Sequence, residues 1–237
     1  MTIRIACMGP KGGPGKSTVG RAVTVGIIGA GATAGIADLD PQKTCVDWAI
    51  KRENLREDLR RRGKEVPHPV PVRYFANLSE ALNESARYDF HVLDAPGKTG
   101  PEMLAIAQAA DVVVMPCNPG ADDMWPTIKA YNELVRKGVP KSKLIMVLNH
   151  VGGAPEEKAA RTFLAEECAA QVLDVGLREK VVYRSAMTAG LSITEVKGEG
   201  LRKEAEAVVS ALIDKILAIH GAGNGSEEQG RAAHAAA

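Results

Sequence analysis

Four cysteines, Cys7, Cys45, Cys117 and Cys168, are spread through 237 residues without a CxxC pair. Their spacing argues against a zinc knuckle, an iron–sulfur bridge or a redox dithiol and fits scattered core thiols. Charge of one sign is also missing: 30 Lys and Arg stand against 29 Asp and Glu. No global field draws the chain to nucleic acid or membrane, so such a partner must be met by a local patch. Nowhere do about 20 apolar residues run together. The opening "MTIRIACM" lacks the charged start and long apolar stretch of a leader, and a cytoplasmic chain is expected. Internal repeats are absent.

What the chain does contain is alternation. Short β-type runs occur at 3–8, 33–40, 70–75, 88–95, 111–117 and 143–150, with helix-length segments between most of them. Apolar strands separated by amphipathic helices predict an α/β fold, a doubly wound, mostly parallel sheet with helices on both faces. Ligands in such sheets gather at the carboxyl ends of the strands. A last helix is expected over about 200–219, where Leu201, Ala205, Val208, Val209, Leu212, Ile216 and Ile219 form an apolar stripe. One domain over 1–220 follows, with a mobile tail over 221–237, whose glycine, alanine and polar residues offer no periodic face.

The densest signal is "MGPKGGPGKST", residues 8–18. A phosphate needs several backbone N–H groups turned inward, and glycine lets a chain come that close and turn that sharply. The following helix adds its N-terminal dipole. Gly12, Gly13 and Gly15 precede Lys16, Ser17 and Thr18, giving the GK[ST] end of a phosphate-binding loop: Lys16 toward the β and γ phosphates, Ser17 toward Mg²⁺. Pro10 stands where GxxxxGK[ST] has its first glycine, so a plain nucleotidase fits imperfectly. A dinucleotide fold fits worse, because no GxGxxG opens the first helix and "GAGATAG" (29–35) lies before the second strand. Mg²⁺ bound to a triphosphate calls for a carboxylate at a strand end; Asp94, in "FHVLDAPG", supplies one. Asp38 and Asp40, in "ADLDPQ", are candidates for the same chemistry or, alternatively, caps and turn formers.

The string KGGxGK[ST], with "DLDPQ", "DAPG" and "LNH", resembles the deviant phosphate loop and accompanying elements of the ParA/MinD family of partition and positioning ATPases. Small plasmid-partition ParA proteins also resemble the chain in carrying proline before the first lysine. The resemblance implies ATP and Mg²⁺ as cofactors, and a homodimer in which Lys11 reaches the partner's ATP. It further implies that Asp40 positions the attacking water, that Asp38 lies near the Mg²⁺ shell with Ser17 and Asp94, and that Asn149 sits near adenine. The NKxD of GTPases is absent after Asn149, which favours ATP. The loop at 116–125 resembles a family element with Asp123 and Trp125 in register, or is a capped helix start with Trp125 in the core.

By the same resemblance, ATP-bound dimers hold nonspecific DNA and a ParB-like partner triggers hydrolysis. Arg178, Lys180, Arg184, Lys197, Arg202 and Lys203 are the candidate DNA contacts, through salt-sensitive phosphate interactions. The mixed-charge run at 51–64 is expected as an exposed helix and connector. No terminal amphipathic helix of the MinD type is seen, so no membrane partner is expected. Two alternatives stand beside DNA partition: the same ATP switch positioning a protein complex, and a metabolic ligase resembling dethiobiotin synthetase.

Overall fold

The computed structural model describes residues 2–235, with side chains through position 222; the tail expected over 221–237 lies almost wholly outside the described side chains. Seven strands pair in one parallel sheet: β1 (Ile3–Cys7), β2 (Ala34–Asp38), β3 (Val72–Tyr74), β4 (Phe90–Asp94), β5 (Val112–Cys117), β6 (Leu144–Leu148) and β7 (Gln171–Val172). Their order is β3-β2-β4-β1-β5-β6-β7. All six expected strands are present, and the two-residue β7 is too short to have shown a period.

The inner strands are apolar on both faces because helices cover both. Ile5, Cys7, Val92, Val114, Ile145 and Val147 face one core, shared with α1 (Lys16–Gly29), α2 (Thr44–Arg61), α7 (Val181–Thr188) and α8 (Glu199–Ala235). Their neighbours Ala6, Leu93, Val113, Met115 and Met146 face the other. That second core is closed by α3 (Leu78–Ser85), α4 (Pro101–Ala109), α5 (Ala121–Arg136) and α6 (Ala154–Cys168). The period-2 alternation of each strand is thus read as apolar in both directions. The stripe of α8 docks as expected, from Leu201 to Ile219. A Cβ on Gly26 of α1 would lie 2.8 Å from Val209 Cγ1, so the Val209 side chain of α8 packs directly on the α1 backbone. All four thiols are free and buried, and no helix among the described residues is long and apolar enough to cross a membrane.

The run at 51–64 departs from the expected solvated helix. Arg52 is 1% exposed and forms a fork to Glu195, with Nη1 donating to Oε2 at 2.8 Å and Nη2 to Oε1 at 2.7 Å. Its Nε donates to His68 O at 2.8 Å and Nη1 also to Gly190 O at 3.0 Å. A buried guanidinium is tolerated when its donors are satisfied in this way. Trp48 lies between Arg52 and Arg21, whose guanidinium carbons stand 5.2 and 5.5 Å from its ring. Its Nε1 donates to Leu191 O at 3.0 Å. Two residues of a charge-rich helix therefore anchor it to the segment before α8. Sign alternation alone does not separate them from solvated neighbours.

The register brings the functional ends level. Cys7 and Asp38 both pair with Asp94, so β1, β2 and β4 finish side by side. Because β4 inserts between β1 and β2, the loops leaving these ends diverge and open a crevice at the carboxyl edge of the sheet.

Candidate functional site at the carboxyl edge

The loop between β1 and α1 is shaped by two left-handed glycines, Gly13 and Gly15, each at φ 98°. Gly15 has no room for another residue: a Cβ there would meet Asn149 Nδ2 at 2.0 Å. Gly97, in the turn after β4, is equally constrained, since its Cβ would stand 2.7 Å from Gly12 N. The "DAPG" turn therefore presses on the glycine loop itself. Lys16 begins α1, is 7% exposed, and donates from Nζ to the Lys11 carbonyl at 3.1 Å. No acid occupies the first turn of α1, leaving the positive helix end available to an anion.

Asp94 is fully buried. Its Oδ2 accepts from Ser17 Oγ at 2.7 Å and from Cys45 Sγ at 3.1 Å, while Oδ1 has no partner among the described residues. Burial pushes its pKa up to about 6, against the pull of the Ser17 and Cys45 hydrogen bonds. An orphaned carboxylate oxygen next to a phosphate-loop serine fits a divalent cation or its water. Among the described residues no three His, Cys, Asp or Glu side chains gather as a metal cluster. Mg²⁺ does not ask for one, because one or two carboxylates suffice and substrate phosphates and water complete its shell.

Asp38 and Asp40 both hold backbone. Asp38 Oδ2 accepts from the N–H groups of Cys45 and Val46 at 2.9 and 3.2 Å, and Oδ1 from that of Asp40 at 3.1 Å. Burial raises its pKa while these N–H groups oppose the shift. Asp40 Oδ1 accepts from Gln42 N at 2.9 Å, forming the turn into α2. Asp38 thus lies level with Asp94 at the strand ends, and each acid performs the capping or turn role that was the alternative.

Lys11 is half-exposed and forms an ion pair with Asp123 while donating to the Asp122 carbonyl at 3.0 Å. Asn118 Nδ2 steadies the other oxygen of Asp123 at 2.8 Å. The start of α5 has no side-chain cap, and Trp125 is 43% exposed with its ring edge-on to Phe163. The capped start with Trp125 in the core is therefore not found.

Asn149 is fully buried, and its Nδ2 donates to Pro14 O at 2.7 Å. It braces the loop while its unpartnered Oδ1 remains buried. Beside it opens a cavity of about 320 Å³ whose lining includes Thr18, Asn149, His150, Tyr183 and Met187, of a size that suits a small organic ligand. Arg178, Lys180 and Arg184 line this same cavity. Four of the six basic candidates face acids: Arg178 with Glu204, Arg184 with Glu179, Arg202 with Glu206 and Lys203 with Glu199. Sequence reasoning missed Arg21, Thr44 and Cys45, which lie outside any phosphate-loop pattern. The pressure of Gly97 on the loop was hinted at only by its place after Asp94.

The family model described as ATPase MipZ matches residues 4–137, more than half of the chain. The maintenance of carboxysome distribution protein A of Halothiobacillus neapolitanus is 27% identical over 218 residues, covering 87% of this chain and 93% of that protein. Among solved structures, the MinC:MinD cell division protein complex of Aquifex aeolicus matches with a TM-score of 0.69 at 14% identity, over 90% of this chain and 96% of the other. The septum site-determining protein MinD of Pyrococcus horikoshii, complexed with Mg-ADP, matches at 0.65 and 18% identity, over 93% and 99%. At these identities the solved structures speak for the fold alone.

Proposed function

The chain belongs to the ATPase MipZ family and is an ATPase of the ParA/MinD class, and from that premise we propose that it dimerises on Mg-ATP and uses the dimer to position a large protein assembly. Lys16 binds the β and γ phosphates, and Gly12, Gly13, Gly15, Ser17 and Thr18 complete the cradle. Ser17 and Asp94 hold Mg²⁺, with Asp38 fixing the neighbouring turn, and Asp40 positions the water. The cavity beside Thr18 and Asn149 receives the adenine nucleoside. The full-length likeness to a carboxysome-distribution protein favours a protein cargo over a plasmid, and family membership sets the metabolic ligase aside.

One observation carries the dimer: Lys11 is the loop's outward lysine, half-exposed and held by a surface ion pair. Such pairs are worth about 0–1 kcal/mol, so a partner's phosphate competes with Asp123 easily. The ATP dimer is proposed to bind nonspecific DNA through residues among Arg178, Lys180, Arg184, Lys197, Arg202 and Lys203, and to be released when a ParB-like partner stimulates hydrolysis. Light scattering with Mg-ATP is expected to show a dimer for the native chain and a monomer that still binds ATP for Lys11→Ala. An unchanged dimer in the variant refutes the role of Lys11. DNA added to the same sample should be retained only with ATP and be lost steeply as salt rises.

A further inference from the structure

Ser17 Oγ has two neighbours. Asp94 Oδ2 lies at 2.7 Å, and Thr44 Oγ1 at 3.2 Å. These separations bracket the distance of about 2.9 Å between adjacent oxygens of an octahedron with metal–oxygen bonds of about 2.05 Å, the geometry Mg²⁺ demands. The three oxygens come from α1, β4 and the first residue of α2, and next to them Asp94 Oδ1 is buried without a partner.

Thr44 does not reach this place by chance rotation of a loose loop. Its carbonyl accepts from Arg21 Nη2, and the next two N–H groups are held by Asp38. Arg21 Nε also donates to Cys45 Sγ at 3.3 Å, and that thiol reaches Asp94 Oδ2. The residue before, Lys43, is forced into the left-handed region at φ 53°, which costs an ordinary side chain about 1–3 kcal/mol. Arg21 itself is 8% exposed and lies on Trp48, so the clamp on Thr44 is fixed from the core side. A strained residue followed by a hydroxyl pinned on both flanks is a preorganised ligand position.

We propose that Thr44 is a further oxygen of the divalent-cation site, beside Ser17 and Asp94, with Arg21 as the positioning residue that holds it there. The inference rests on the reading of this crevice as a Mg-nucleotide site and adds to it a link: the cation ties the start of α2 to the start of α1. A cation held there therefore couples the segment carrying Asp38 and Asp40 to the glycine loop, which a site made of Ser17 and Asp94 alone does not do.

The test is equilibrium binding of a fluorescent nonhydrolysable ATP analogue, with Mg²⁺ and with EDTA, on the full chain. The native protein gains affinity from Mg²⁺. Thr44→Val is expected to keep the EDTA affinity and lose about tenfold of the Mg²⁺ gain; Thr44→Ser is expected to restore it, and Arg21→Gln to lose part of it. Mn²⁺ titration followed by paramagnetic resonance, with the analogue bound, should show the same order of variants. If Thr44→Val keeps the whole Mg²⁺ gain, or loses equally with and without Mg²⁺, Thr44 only joins two helices and the proposal is overturned. Should the native chain bind the analogue but gain nothing from Mg²⁺, the cation site fails and Thr44 with it; no binding in either condition overturns the nucleotide reading itself. Thr44→Ala replaces the valine variant if that one does not fold.

Discussion

The two ends of the glycine loop carry the same kind of residue in opposite settings. Lys16 is buried and folded back onto the loop's own carbonyl, and the next residue, Ser17, donates to an acid, Asp94, whose pKa burial lifts to about 6. Lys11, five residues earlier, is half-exposed on an acid, Asp123, where burial also works upward but the Lys11 and Asn118 hydrogen bonds win and hold the carboxyl below its usual range. One end is a low-dielectric pocket with an unsatisfied oxygen waiting for charge. The other is a surface pair, complete already and weak enough to exchange. On the proposed reading, chemistry belongs at the first and partner exchange at the second.

Lys16→Ala breaks the buried end outright. Loss of a charge-assisted contact to phosphate is expected to weaken ATP binding about 100-fold, measured by calorimetry; a loss as small as that of Lys11→Ala would erase the contrast between the ends. Asp94→Asn sharpens it in the opposite sense, by making the nucleotide-free protein more stable. The sign follows from the raised pKa: the unfolded carboxyl ionises near 3.8 and the folded one near 6, so the folded state loses stability as pH rises through that window. At pH 7 the asparagine variant should gain on the order of 2–3 kcal/mol in urea denaturation. The gain over the native chain should vanish below pH 4, and a gain of the same size at both pH values contradicts the buried charge. The smallest effect is at the exposed end. Asp123→Asn frees Lys11 from a pair worth at most about 1 kcal/mol in each subunit, so with two such pairs per dimer the ATP dimer should form at up to about 30-fold lower protein concentration. Weaker dimerisation would instead make Asp123 part of the contact between subunits.

Much of this was written in the sequence because it depends on backbone. Strands buried on both faces announce themselves as apolar runs, and a loop that must place N–H groups around an anion cannot hide its glycines. Gly15 and Gly97 are required by contacts that no Cβ survives. What escaped reading depends on which face of a helix turns inward. Arg52 and Arg56 stand in a run of alternating charge, yet both are buried, and nothing local separates them from exposed Arg60 or Arg61. Asn149 was expected near a base; its bond to Pro14 joins segments 135 positions apart, a contact visible only once the sheet is assembled. Likewise the basic residues at 178–203 looked like free charge until Glu179, Glu199, Glu204 and Glu206 were found against four of them.

Pro14 is the residue between the two left-handed glycines, and it is buried with its carbonyl engaged by Asn149. A ring there removes one amide hydrogen from the cradle and fixes one torsion permanently. The anion thus meets fewer donors, but in a frame that has little freedom left to surrender, so binding loses less entropy at the moment of capture.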